Sequence, residues 1–267
     1  MTTMTMTMMK KIFLLPLLIV LACSFAFSQI TVGGNAKIGG AVTMGASSGG
    51  GGGGISIYQQ PVFCTANISS AFTCTLGSAA PAGSKIVVAI GHPYASTITG
   101  VTFNSVTMNF DEPNSAFVGI WSLDNVSGGT QATGTCGTGG GCLVILLNFT
   151  GVATSSSLDQ VGRDQTSSPT YASLTTSSLA QPSSELAIGN VMDASGNVSS
   201  DWLTVASPFS FTDSSPNWYC TQGNNGGYNY HQMVCWALTT SSSGLAFSGT
   251  TGASNSGAAD IAVYKHQ

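Results

Sequence analysis

The densest chemistry in this sequence lies between residues 217 and 236. There Trp218, Tyr219, Tyr228, Tyr230 and Trp236 are interleaved with Asn217, Gln222, Asn224, Asn225, Asn229, His231 and Gln232, and Cys220 and Cys235 bracket Asn225-Gly226-Gly227. Aromatic rings stack on the apolar faces of sugars, and amides exchange hydrogen bonds with hydroxyls, so this is the composition of a glycan-binding surface. The Asn-Gly-Gly marks a turn, which predicts a hairpin with Cys220 facing Cys235. Strand alternation places Tyr228, Tyr230, Gln232, Val234 and Trp236 on one face and Asn229, His231, Met233 and Cys235 on the other. Two readings stand open. An exposed first face makes a sugar platform of Tyr228, Tyr230, Gln232 and Trp236, with Trp218, Tyr219 and His231 as further candidate ligand contacts of the hairpin; a buried one puts Trp236, Val234 and Tyr230 into the core, where large aromatics usually lie.

No catalytic constellation is visible. Asp111 and Glu112 are adjacent, so a strand would point them to opposite faces, and they cannot flank one glycosidic bond. Asp159, Asp164, Glu185, Asp193, Asp201 and Asp213 are widely spaced and suit turns and loops, although folding could assemble a pair from them. His92, His231 and His266 have no partner at motif spacing. A copper monooxygenase would need histidine as its first mature residue, and here that residue is Gln29. The Asp193–Asn197 stretch lacks the acidic repeat and closing glutamate of a calcium loop. Gly45-Ala46-Ser47-Ser48-Gly49 matches G-x-S-x-G in form but runs into polyglycine, without the strand and helix a nucleophile elbow requires. No catalytic residue, metal or cofactor is assigned.

Lys10-Lys11, the apolar run Ile12–Ala22 and the small residues before Gln29 form a secretory signal peptide, residues 1–28, with Met9 the natural start. The run is shorter than the about 20 residues of a membrane span, so no stable span is expected. Val20-Leu21-Ala22-Cys23 offers the alternative of a lipid anchor at Cys23. Cleavage after Ser28 removes Cys23 and leaves Cys64, Cys74, Cys136, Cys142, Cys220 and Cys235, an even set typical of a disulfide framework outside the cytosol. Neighbour pairing, 64 with 74, 136 with 142 and 220 with 235, closes short loops of the kind hairpins bring together. No C-x-x-C is present, which argues against structural zinc.

Charged residues make up 6% of the chain, against about 25% in average soluble domains. The mature chain keeps only Lys37, Lys85, Arg163 and Lys265 as basic residues, so nucleic acid is not an expected partner. Such a surface is rich in hydroxyls and amides rather than ions.

The elements that must position these residues are strands. Residues 29–45 form a short β-prone stalk that could pair with another copy of the chain, and 46–54 form a Gly/Ser linker. From residue 55 to 267, apolar runs such as Lys85–Ile90, Ala116–Trp121, Cys142–Leu147, Glu185–Gly189 and Ala259–Tyr264 alternate with Gly, Ser, Asn and Pro. No segment carries a capped helical period, which predicts an all-β, antiparallel, jelly-roll-like β-sandwich stapled by disulfides.

The succession Ile86–Gly91, Ile98–Asn104, Gly119–Leu123 with Val126–Gly129, Phe149–Val152 with Leu158-Asp159, and Ser184–Gly189 resembles an exported β-sandwich domain of soil-bacterial surface and secreted proteins. The resemblance spans most of 83–265 and implies a jelly-roll-like fold without an assigned activity. The cysteines and the aromatic segment near residue 220 depart from it. The expected function is a secreted, non-catalytic binding or adhesion module for glycan or a cell-surface polymer. The alternatives are a structural protein assembling through 29–44, and a polysaccharide hydrolase or lyase built on an assembled carboxylate pair.

Overall fold

In the computed structural model of the chain, the described residues are 54–92, 97–111, 117–166, 173–180, 184–193, 210–212, 218–225, 230–239, 243–250 and 257–267. The export signal, the stalk, most of the linker, Glu112, the 194–197 turn, Asp201, Asp213 and Tyr228 lie outside them, and the side chains of Asp193, Trp218 and Tyr230 are likewise not described. The described residues form strands and their connections, with no α-helix among them.

Two antiparallel sheets make the centre of the molecule. The first contains β1 (Ser56–Ile57), β2 (Val62–Ala66), β4 (Ser84–Gly91), β7 (Asn109–Phe110), β8 (Val118–Val126) and β10 (Cys142–Thr150), in the order β1-β10-β4-β8-β7 with β2 also on β10. The second contains β11 (Leu158–Thr166), β14 (Leu186–Asp193), β16 (Trp218–Asn225), β17 (Tyr230–Leu238) and β20 (Gly257–Tyr264), in the order β11-β20-β14-β17-β16. Their facing side chains form one apolar layer, with Val87, Ala89, Ile145 and Leu147 from the first meeting Leu186, Ile188, Val234 and Trp236 from the second.

Each central sheet is also covered on its outer face. β3 (Ala71–Thr75), β5 (Thr99–Phe103), β6 (Val106–Thr107) and β9 (Gln131–Thr135) form a sheet over the first, burying Phe72, Val101 and Phe103 against Val88, Ile90 and Val144. Over the second lie β12 (Ser173–Thr175), β15 (Ser210–Phe211) and β19 (Phe247–Thr250), with the pair β13 (Leu179–Ala180) and β18 (Ser243–Leu245). Phe211, Leu245 and Phe247 pack there on Val191, Met233 and Ile261.

The result is four layers rather than two. Two faces of cover explain the uninterrupted apolar runs: every residue of β4 and β20 is buried. β3, with one wet face, alternates exposed and buried residues. The two halves of the domain share one topology. In each, the first strand lies beside the last, the last beside a middle strand, and two hairpin-related strands complete the sheet; the cover pairings β3-β9-β5 and β12-β19-β15 correspond. The expected sandwich over 55–267 is thus two sandwich units packed through their central sheets.

All three cysteine pairs are disulfides between sequence neighbours. Cys220–Cys235 crosses the paired strands β16 and β17, with Cα atoms 4.0 Å apart. The other two do not cross hairpins. Cys64–Cys74 joins β2 to β3, and Cys136–Cys142 joins the end of β9 to β10, so both staple the first cover sheet to the central sheet beneath it.

Candidate functional site

The 218–236 hairpin forms with Trp218 opposite Ala237 and Asn225 opposite Tyr230. The face carrying Gln232, Val234 and Trp236 is the interior of the central sandwich. Trp236 is 2% exposed and meets Phe149 edge-on at 6.5 Å. Gln232 is fully buried, and its Nε2 donates to Asn190 Oδ1 at 2.9 Å. Asn190 Nδ2 in turn donates to the carbonyls of Ile90 and Gly119 in the facing sheet. This polar bridge gives the buried Gln232 Nε2 and both ends of the Asn190 amide their partners inside an apolar layer, while Gln232 Oε1 has none among the described residues. His231 is buried on the outer side of the sheet, and Tyr219 is half-buried with its ring stacked on Trp236 at 6.0 Å. Gln232, His231 and Trp236 therefore do not present a platform to a sugar. The close approach of the central sheets uses Gly223, where a Cβ would overlap the Phe63 ring from β2.

A second constellation lies at one end of the central layer, around Lys85. This lysine is 2% exposed. Its Nζ donates to Ser122 Oγ at 2.7 Å, Asp124 Oδ1 at 2.7 Å and Ser157 Oγ at 2.9 Å, and stands 4.2 Å above the Tyr264 ring. Ser157 holds Asp124 twice more, through its hydroxyl to Oδ1 at 2.6 Å and its backbone N–H to Oδ2 at 3.1 Å. Tyr264 donates its hydroxyl to Asp111 Oδ2 at 2.6 Å, and Ser122 hydrogen-bonds the same carboxyl. The local cause is strand register: Ile86 pairs with Leu123, which continues to Lys85 opposite Asp124, and a bulge follows where Ser84 pairs with Val126. The extra residue leaves Asn125 in a left-handed conformation, φ 52°.

Electrostatics follow from burial. Desolvation pulls Lys85 below its ordinary pKa, against the opposing pull of Asp111 and Asp124. Desolvation pushes Asp111 up, opposed by Lys85 and by the hydroxyls of Ser122 and Tyr264. For Asp124 burial also acts upward, but the hydrogen bonds from Lys85 and Ser157 together outweigh it and hold the carboxyl below its usual value. Burial and the Asp111 charge drive the Tyr264 phenol well above its normal range. The fold thus brings two carboxylates to one lysine, and two serine hydroxyls within its reach. Ser122 and Ser157 are 2% and 0% exposed, so the group offers no route by which a polysaccharide or peptide could reach a nucleophile. Among the described residues no cluster of three or more His, Cys, Asp or Glu side chains is placed to hold a metal.

A third feature opens to solvent beside Asp124. A cavity of about 160 Å³ lies between the tip of the β5–β6 hairpin and the end of β8. It is lined by apolar Phe103, Val106 and Leu123, of which Val106 is exposed, and by polar Asn104, Asp124, Asn125 and Ser127. Phe103 pairs with Val106 across Asn104 and Ser105, whose φ values of 47° and 67° give the two left-handed residues of a tight hairpin turn. The tip seats against Gly129, where a Cβ would collide with Asn104. The volume is below the roughly 300–1,000 Å³ of clefts for drug-sized ligands, and suits one sugar ring or a group of similar size.

Near the far end of the second central sheet, Glu185 is 5% exposed, close to the Lys265–Asp159 pair, whose nearest atoms are 3.6 Å apart. Burial, reinforced by the Asp159 charge and opposed by Lys265, raises its pKa to about 7.

Sequence reasoning missed Lys85, Asp124, Ser157 and Tyr264 as a group, and Asn104 and Asn125 as a rim. The one local signal was a lysine inside an apolar strand, in a chain with few basic residues. Among the described residues no helix is long and apolar enough to cross a membrane. No protein-family model, no curated protein and no solved structure matches the chain, so its fold and its sites stand on its own residues.

Proposed function

We propose that the chain is an exported, non-catalytic binding module of the kind found as β-sandwich domains in soil-bacterial secreted proteins. Its ligand is a glycan or hydroxyl-rich cell-surface polymer, taken one sugar unit at a time by the Asn104–Asn125 cavity. The observation that carries this reading is the cavity's makeup: apolar Phe103, Val106 and Leu123 beside two asparagines held by left-handed backbone. Amides provide a donor and an acceptor to each sugar hydroxyl, and left-handed non-glycine residues concentrate where a fold fixes side chains for use. Three disulfides fit life outside the cytosol. The low charge of the chain favours neutral, hydroxylated partners over ionic ones.

The test is binding of the full mature chain to a glycan array, followed by titration with the strongest oligosaccharide. Asn104→Gly and Asn125→Gly keep the left-handed backbone and delete the amides. Each should weaken binding about tenfold, as expected for a lost hydrogen bond that leaves a sugar hydroxyl unmatched. Failure of the parent protein to bind any glycan would remove the reading. Binding that survives both substitutions but is lost in Trp218→Ala, Tyr228→Ala or Tyr230→Ala would move the site to the hairpin.

A further inference from the structure

The Lys85 constellation contains everything needed to join two of its own side chains. An amine, a carboxyl group, a proton relay and a fixed donor for the carbonyl oxygen meet in a site closed to solvent on most sides. We propose that Lys85 and Asp124 condense to an intramolecular amide, a covalent cross-link between β4 and β8.

The geometry assigns each atom a part. Lys85 Nζ and Asp124 Oδ1 are 2.7 Å apart, and the step begins when the proton they share passes to Oδ1, against the hydrogen bonds that favour the Asp124 carboxylate, leaving a neutral amine beside a neutral acid. Nζ then attacks Asp124 Cγ and the C–N bond forms. Oδ2, which accepts from the Ser157 backbone N–H at 3.1 Å, takes the charge of the tetrahedral intermediate. The proton lost from nitrogen moves through Ser122 Oγ, 2.7 Å from Nζ, to Asp111, which is hydrogen-bonded to that hydroxyl. Ser157 Oγ, 2.6 Å from Oδ1, delivers a proton there and is reprotonated from Nζ, 2.9 Å away, to which Asp111 returns its proton through Ser122; the C–Oδ1 bond breaks, and Oδ1 leaves as water. An ammonium and a carboxylate are thereby converted to one amide and one water, with no oxidant or further reactant.

Three observations support the step. Burial lowers the Lys85 pKa and raises that of Asp111, which favours the neutral nucleophile and a carboxyl able to carry a proton. The Tyr264 ring covers Nζ at 4.2 Å and keeps bulk water from the reacting atoms. Asp124 also lines the open cavity, so the departing water has a way out. Pre-organisation of this kind replaces an intermolecular encounter by partners already held in contact, a large contribution to such a condensation.

The test is the intact mass of the full chain after reduction and denaturation, compared with the mass calculated from its observed N-terminus. The expected result is a loss of one water, about 18 Da, as for any amide condensation. Tryptic digestion should leave Lys85 uncut and yield a branched peptide joining the segment around Lys85 to that around Asp124. Lys85→Gln and Asp124→Ala should each restore the full calculated mass. Asp111→Ala keeps both partners and should leave them unjoined or joined only slowly, a result that separates relay from mere burial. A parent protein at its full mass after prolonged incubation, with clean cleavage after Lys85, overturns the proposal. A branched peptide from Lys85 to Asp111 instead overturns the choice of electrophile.

Discussion

At the scale of single residues, the acidic side chains of this protein differ by their surroundings rather than by type. Glu185 is the clearest case for pH. Its pKa is about 7 in the folded protein against the ordinary 4.5, because burial and Asp159 disfavour its charge. Between those values the native state binds the proton more tightly than the unfolded chain, so the stability from this group is full below pH 4.5 and falls as pH rises to about 7. Glutamine mimics the protonated form. Glu185→Gln should therefore match the parent at low pH and exceed it above neutrality by about 1–2 kcal/mol, a figure reduced for solvent screening at the Asp159–Lys265 rim. Urea midpoints at about pH 4 and about pH 8 measure this. An equal difference at both pH values would show that the group does not titrate as its burial requires. Asp124 shows the opposite outcome of burial, since its donors Lys85 and Ser157 outweigh the desolvation that dominates at Glu185. None of this was legible in the sequence, where Asp124 is one acidic residue at the end of a strand. The partners that decide its state lie at positions 85 and 157, and only strand pairing and the packing of the folded chain bring them together.

At the scale of elements, glycines report how closely the layers approach. Gly189 in β14 lies under Phe247 of β19, and a Cβ there would fall within 2.5 Å of the ring. Phe247 is fully buried and also packs on Phe211, with centroids 5.2 Å apart, so it has nowhere to move. Gly189→Ala should cost about 1–3 kcal/mol by overpacking. Gly77 serves as the control: a Cβ there meets only Gln59 Oε1 at 3.7 Å, and Gly77→Ala should be close to neutral. Thermal melts of the two variants decide the matter, and equal costs would mean that the cover sheet yields freely. The strands themselves were legible because runs such as Cys142–Leu147 and Ala259–Tyr264 are apolar, of strand length and bounded by turn residues. The same runs concealed the layering. A continuous run indicates two buried faces but does not say what covers them, and the covering strands, such as β13 and β15, are two residues long. The cysteines behaved similarly. Proximity in sequence identified the partners, but Cys64 and Cys74 are near because the chain turns from one sheet to another, which spacing alone cannot separate from a hairpin. The hairpin at 218–236 had the opposite fate. Its strand pairing and its faces were correctly spaced, yet alternation assigns side chains to faces without saying what covers each, and both faces of β17 are dry, Gln232 and Trp236 on one, His231 and Met233 on the other.

At the scale of the whole molecule, the doubled topology was invisible in the sequence because it resides in strand order and not in repeated residues. Strand order β1-β10-β4-β8-β7 matches β11-β20-β14-β17-β16, but the side chains that fill the two cores differ, Phe72 and Trp121 in one and Phe211 and Phe247 in the other. What joins the units is a mostly apolar layer that also holds the Asn190–Gln232 bridge, the buried Asp260 beside Asn190 and the Lys85 group. An interface of that kind resembles a domain core more than a contact between independent modules, so the two units should unfold together. Trp236 tests this, because it belongs to the second unit while its ring packs against Phe149 of the first. Trp236→Ala removes a large buried side chain and should cost about 3–5 kcal/mol. If the units are coupled, calorimetry will show one transition shifted to lower temperature. Amide exchange at Val87, Ala89 and Leu147, all in the first unit, will then accelerate as much as exchange at Ile188 and Val234 in the second. A second transition that stays in place, with unchanged protection in β4 and β10, would mean that each sandwich holds itself. The central layer would then be only a resting contact, whose Lys85 site could open without unfolding either half.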